Sequence, residues 1–270
     1  MPVRCLTNRG FPAPTRYTRV KMTPPAIAVR GLRKSYGRQP AVDGLDLEVP
    51  QGSFFGFLGP NGAGKSTTIR MLTGLIPADA GEIEIFGLPM SAREMDIKRR
   101  IGLVPDESLL FDRLTGGEFL EFVGRMYGLE RSVAVSRARD LLELFQLQDG
   151  RKLIAGYSKG MRKRAAMAAS LIHHPDLFLM DEPFEGVDAV GARLMKDILL
   201  DQVRRGATIF LTSHVLEVVE RLCDRFAIIH NGRIVTAGAM DDLRAGADTL
   251  EEVFVRAVGA ERQMERLDWL

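Results

Sequence analysis

Nine residues constrain this chain more than anything else in it: Gly59, Pro60, Asn61, Gly62, Ala63, Gly64, Lys65, Ser66 and Thr67, set between an apolar run at 53–58 and a helical pattern at 65–75. They fit G-x-x-x-x-G-K-[ST] with a strand before and a helix after, the context in which that pattern has a mechanism. Glycines let successive backbone N–H groups point inward at phosphate oxygens with no Cβ in the way, and the helix N-terminus adds partial positive charge. Lys65 is placed to neutralise the β- and γ-phosphates, and the Ser66 hydroxyl to ligate Mg²⁺. A chance match in a chain of this composition is on the order of one in a hundred. A glycine turn that only links strand to helix is therefore set aside, and a bound nucleoside triphosphate is expected.

The apolar run 177–180 ends in two acids, Asp181 and Glu182. Alone, such a pair is a solvated turn or a helix cap. Beside a phosphate loop, a strand end would deliver Asp181 to the Mg²⁺ opposite Ser66, and Glu182 would polarise the water that attacks the γ-phosphate. His214 follows another apolar run, 208–212, where a neutral imidazole can donate to the γ-phosphate.

Around these motifs the pattern is that of an α/β protein. Runs at 26–30, 45–49, 53–58, 81–86, 101–104, 176–180 and 208–212 read as strands, and 227–230 and 233–236 flank Asn231-Gly232, a hairpin turn. Helices are expected at 65–75, 117–127, 133–145, 159–171 and 250–258. The stretch from about 88 to 170 reads as a helical insertion between two parts of one mixed sheet.

Composition bounds the rest. With 270 residues, 46% of them hydrophobic and 27% charged, the chain is neither disordered throughout nor fibrous, and no apolar run reaches the length of a membrane span. The formal net charge of +2 is unevenly placed. Residues 1–21 hold Arg4, Arg9, Arg16, Arg19 and Lys21 and no acid, leaving 32 basic against 35 acidic residues elsewhere. The body thus carries no nucleic-acid signature. Residues 1–25, with Pro12, Pro14, Pro24 and Pro25, are expected to be a disordered basic extension; a transit segment, or a true start at Met22, are the alternatives. Cys5 and Cys223 show neither zinc nor disulfide spacing.

In their order these residues resemble the nucleotide-binding domain of ATP-binding cassette (ABC) transporters, over residues 26–256, with 257–270 a C-terminal tail. Tyr36, in Lys34-Ser35-Tyr36-Gly37, matches the aromatic that stacks on adenine, and 59–67 matches Walker A. Residues 157–161 match the signature usually read as LSGGQ, 177–182 match Walker B with its glutamate, Asp188 closes the D-loop, and His214 matches the switch histidine. Lys65 and Ser158 lie 93 residues apart, and Ser158 and Asp181 lie 23 apart, which leaves no room for the coiled coils of the family's chromosome-maintenance members. The resemblance implies a P-loop NTPase fold with a mixed sheet, an N-terminal antiparallel β portion and an inserted helical subdomain. It implies a Mg²⁺-dependent ATPase, catalytic Glu182 and His214, and Mg²⁺ held by Ser66 and Asp181. Pairing with a second cassette would bring Ser158 and Gly160 over the other subunit's γ-phosphate. The partner would be a separately encoded permease, with the chain peripheral on the cytoplasmic face of the inner or plasma membrane.

This chain departs from the family's wording. Asp106 stands where a glutamine is usual; a carboxylate can approach Mg²⁺ or its water but cannot donate an amide hydrogen bond. Tyr157, Lys159 and Met161 alter the signature, and Glu185 and Val187 alter the D-loop. The wording is closest to cassettes of the multidrug, sodium and polysaccharide exporter type. A soluble regulatory or assembly ATPase is the alternative, supported by Asp106, and an inactive cassette is disfavoured by the intact Lys65, Asp181, Glu182 and His214. The remaining features read as ordinary. Arg162-Lys163-Arg164 is expected on a solvated helix face, His173-His174 as cations suiting a helix end, and Trp269 as packing.

Overall fold

The computed structural model describes residues 23–107, 110–147, 152–246 and 248–259. The basic segment 1–22 and Trp269 lie outside the described residues. The described residues open with β1 (Ile27–Tyr36), β2 (Gln39–Val49), β3 (Phe54–Leu58), α1 (Lys65–Leu72), β4 (Ala80–Ile85), β5 (Leu88–Pro89) and α2 (Met90–Lys98). It continues through β6 (Ile101–Val104), α3 (Gly116–Met126), α4 (Arg131–Leu144), a 3₁₀ turn at Ile154–Gly156, and α5 (Lys159–Leu171). Then follow β7 (Leu177–Asp181), α6 (Ala189–Arg204), β8 (Thr208–Ser213), α7 (Leu216–Leu222), β9 (Arg225–His230), β10 (Arg233–Ala239), α8 (Met240–Ala245) and α9 (Leu250–Val258).

Two sheets form. One is antiparallel, in the order β2-β1-β4-β5; the other runs β10-β9-β3-β8-β7-β6, parallel from β9 to β6 with the β9–β10 hairpin at one edge. The central strands are apolar at nearly every position because both faces are covered. On β3, β7 and β8, Phe55, Phe57, Leu177, Leu179 and Phe210 point into the core shared with the antiparallel sheet and α1, while Phe54, Leu58, Phe178, Met180, Ile209 and Leu211 point to the helices opposite. Alternation along each strand produces this division without any change in residue type. Gly56 lets α7 lie close: a Cβ there would come within 2.3 Å of Val219 Cγ1.

The stretch expected as a helical insertion from about 88 to 170 contains sheet at its start. Leu88–Pro89 pairs with β4, and β6 lies parallel to β7 with Ile101 opposite Leu177. After β6 the described helices of this stretch begin at α3, whose N-terminus carries a capping box between Thr115 and Glu118. The parallel register puts Asp181 beside Thr212 and Leu58 beside Ser213. The carboxyl ends of β3, β7 and β8 thus share one edge, where open α/β sheets bind ligands.

Candidate active site

The loop after β3 is shaped by backbone contacts. A Cβ on Gly59 would stand 2.3 Å from the Ile229 carbonyl oxygen, and one on Gly64 would stand 2.4 Å from that of Ala41. Gly64 also adopts φ 110°, outside what an L side chain tolerates. The loop is tied to the β9–β10 turn, since Gly232 N donates to Ala63 O at 3.0 Å, and Asp43 N on β2 donates to Gly232 O at 2.9 Å. The first turn of α1 has no capping side chain and no acid, so its N–H groups face the cleft as an anion site. Lys65 folds back, its Nζ donating to Gly59 O at 2.7 Å and Pro60 O at 3.3 Å. Burial lowers its pKa, against the opposing pull of Glu182, Asp181 and Asp106.

Opposite the loop, Asp181 ends β7 buried, and Thr212 Oγ1 on β8 donates to its Oδ1 at 2.6 Å. The same Thr212 hydroxyl accepts from Glu182 N at 3.1 Å. Glu182 stands at φ 46°, a left-handed conformation that a non-glycine residue keeps only when its surroundings hold it there. Its Oε2 lies 3.0 Å from His214 Nδ1 and accepts from His214 N at 3.3 Å. That contact calls for a proton on Nδ1. A neutral His214 then has no proton at Nε2 with which to reach a phosphate, so the sequence-expected donation requires the ring to be charged or to leave Glu182.

The loop and acids line one cleft of about 820 Å³. It gathers Gly59, Pro60, Asn61, Gly62, Gly64, Lys65, Ser66, Thr67, Asp106, Asp181, Glu182 and His214. Ala63 is buried behind the loop, and Tyr36, Ser158, Gly160 and Asp188 do not line it. Tyr36 ends β1, 51% exposed, across the hairpin from Gln39. Sequence reasoning missed Phe254, Glu185 and Ala41 in the lining, and Thr212 beneath it. Phe254 carries no local signal, being one apolar residue of α9; Thr212 could have been suspected as a polar residue near the end of a buried strand.

Helix α5 faces the same region. Ser158 caps it, accepting from Met161 N at 3.2 Å, and a Cβ on Gly160 would stand 2.9 Å from Gly186 O. Close packing of α5 on the 182–188 turn thus accounts for that glycine within one chain. Two departures from the family wording pair with each other, Lys159 Nζ lying 2.7 Å from Glu185 Oε1. Asp188 caps α6, accepting from Gly191 N at 2.8 Å.

The expected solvated face at 162–164 is not solvated. Lys163 is 1% exposed, with Nζ 3.1 Å from Pro105 O, 3.3 Å from Asp181 O and 3.7 Å from Asp106 Oδ1. Arg162 reaches Asp112 and Ile154 O, and Arg164 donates to Phe145 O at 3.0 Å. The helix is covered on that side by Pro105, Asp106, Asp112, Ile154 and Phe145, which periodicity alone does not reveal. Nor is His173 a cation at a helix end. It stacks on Tyr127 at 3.6 Å with Nε2 3.0 Å from Ile101 O, and burial pushes its pKa down to about 4. Its buried Nδ1 has no hydrogen-bond partner among the described residues, so a proton there would be stranded.

The donor chemistry fits Mg²⁺. A serine hydroxyl and a carboxylate are hard oxygen ligands, and among the described residues no cluster of three or more His, Cys, Asp or Glu could hold an ion alone. That suits an ion bound jointly with phosphates.

A family model described as ABC transporter matches residues 42–185. The chain is 41% identical over 239 residues to a daunorubicin resistance ATP-binding protein of Streptomyces coeruleorubidus, covering 87% of this chain and 76% of that one. It is 39% identical to the linearmycin resistance ATP-binding protein of Bacillus subtilis, covering 86% and 76%. The bacitracin transport ATP-binding protein of Bacillus licheniformis is likewise 39% identical, with 81% and 71% covered. A solved ATP-binding subunit of an ABC transporter superimposes with a TM-score of 0.80 at 31% identity, covering 86% of this chain and 99% of that one.

Proposed function

We propose, given that this chain belongs to the ABC transporter family as an ATP-binding subunit, that it drives export through a separately encoded membrane permease. Relatives named for drug resistance and bacitracin transport support that direction. Among the described residues no helix is long and apolar enough to cross a membrane. In this reading the chain sits on the cytoplasmic face, attached through its permease.

The chain is a Mg²⁺-dependent ATPase. The observation that carries its mechanism is the contact of Glu182 with His214 at 3.0 Å, across the cleft from a loop whose lysine is already buried. The backbone N–H groups of 59–67 take the phosphates, and Lys65 exchanges its loop carbonyls for β- and γ-oxygens. Ser66 and Asp181 would hold Mg²⁺, which neutralises charge on the phosphates. Glu182, held in place by His214, takes the proton of the attacking water. Tyr36 stacks on the base. Pairing with a second cassette turns Ser158, Gly160 and Asp188 toward the other subunit's nucleotide.

Glu182→Gln keeps the size and loses the base. Its turnover is expected to fall by about a hundredfold or more, while calorimetry shows ATP affinity within about threefold of wild type and gel filtration with ATP shows a stable dimer. Unchanged turnover would remove Glu182 from the mechanism.

A further inference from the structure

Lys163 is the least expected charge in the molecule. It projects from α5 with its side chain 2% exposed and touches the ends of two neighbouring strands, through Pro105 O just after β6 and Asp181 O at the end of β7. Its carboxylate neighbour within ion-pair distance is Asp106, which lines the cleft. A buried ammonium needs an anion nearby and acceptors for its protons. Asp106 supplies the first and the two carbonyls supply the second.

The Asp181 carbonyl has a further consequence. It belongs to the same peptide group as Glu182 N–H, which donates to Thr212 Oγ1 at 3.1 Å. The plane between Asp181 and Glu182 is therefore gripped at both ends, by Lys163 on the oxygen and Thr212 on the hydrogen. That plane carries Glu182 into its φ of 46°. Released at one end, it can rotate, and Glu182 can relax to a conformation that no longer meets His214.

We propose that Asp106 and Lys163 form a positioning pair that holds the Asp181–Glu182 peptide in the geometry needed for hydrolysis, so that the carboxylate at 106 and the lysine at 163 are each required by the other. The pair accounts for an Asp where the family usually has a neutral amide. Replacing Asp106 by an amide while Lys163 stays would remove the ammonium's ion-pair partner and leave it only the weaker pull of Asp181 and Glu185. A neutral residue at 163 would in turn leave the carboxylate of Asp106 facing Asp181 and Glu182.

This inference rests on the ATPase reading, and a double-substitution cycle separates the two. Asp106→Gln, Lys163→Gln and the combined variant are compared with wild type in kcat, in KM, in the thermal unfolding midpoint without metal, and in metal-free ATP affinity by calorimetry. Each single substitution is expected to lower kcat about tenfold and to lower the midpoint. KM and metal-free affinity stay within about twofold, because the phosphate loop is untouched. The combined variant, whose amide at 163 can still donate to both carbonyls, recovers kcat to within about threefold of wild type. Additive losses, on the order of a hundredfold together, overturn the pair. If Lys163→Gln does not fold, Asp106→Asn decides: a tenfold loss of kcat at unchanged KM supports the pair, and wild-type kcat overturns it. A wild-type chain without ATP hydrolysis overturns the ATPase reading instead.

Discussion

The two walls of the nucleotide cleft are built by different means. The loop at 59–67 is defined by backbone. Its glycines exist because carbonyl oxygens of Ile229 and Ala41 stand where a Cβ would go, and its fixing bonds run between main-chain groups of residues 43, 63 and 232. The facing wall, from α5 and the turns at 105–107 and 182–188, is defined by side chains: Lys159 on Glu185, Lys163 on Asp106, Thr212 on Asp181, Glu182 on His214. A backbone-built wall fixes its glycines at 59 and 64, because nothing substitutes for the absence of a Cβ. A wall built of side-chain pairs can exchange one pair for another, and the departures from the family wording collect there.

The most severe loss is expected at the backbone-built wall. Gly64→Ala should cost about 4 kcal/mol, from a forbidden φ plus a 2.4 Å clash with Ala41 O, and should abolish ATP binding. Gly62→Ala, at φ 79° with nothing within 4 Å, should cost about 1 kcal/mol. Urea unfolding of the two variants checks the difference, and equal costs would deny that backbone approach shapes the loop.

An intermediate loss lies beyond the far end of α5. His173 is kept neutral chiefly by burial, with Arg137 nearby adding to it, against the raising effect of the Ile101 carbonyl. Its folded pKa of about 4 is below the unfolded value of 6.5. Below 6.5 the unfolded chain gains a proton that the folded chain refuses, so stability is lost as pH falls from about 6.5 toward 4 and is fully present above that window. The loss should amount to about 2 kcal/mol after allowance for the ring's partial exposure. His173→Phe, which keeps the stack on Tyr127, should remove that part of the pH dependence in unfolding measured from pH 4 to 8.

The mildest change concerns the exposed pair of the facing wall. Lys159→Ala and Glu185→Ala should each leave the unfolding midpoint within about 2 °C of wild type, because a solvated ion pair contributes little. A larger drop would mean that even this pair is structural, and would narrow the contrast between the walls.

Much of the fold is legible in the amino-acid sequence. Short apolar runs, the Asn231-Gly232 turn and the strand–loop–helix context of 53–75 are local signals, and strands, a hairpin and a helix form there. The strand at 101–104 is legible as well and forms β6, whereas the two-residue β5 in the same stretch owes its place to β4 and carries no local signal. At the site, the phosphate loop, the acid pair and His214 converge on one cleft. Lys163 reads wrongly because a basic triplet on a helix looks solvated until the loops that cover it are known. Phe254 and Thr212 escape notice because each matters only through a neighbour distant in the chain.

The phosphate loop and the strand that leads to it are written in the order of the residues alone, because a positive φ and a missing Cβ are properties of single positions. Which charges are buried and paired is a matter of tertiary structure. Asp106 and Lys163 are brought together by the pairing of β6 with β7 and the packing of α5 across their ends. Desolvation then gives that meeting its force, since an ammonium cut off from water must find its anion within the protein.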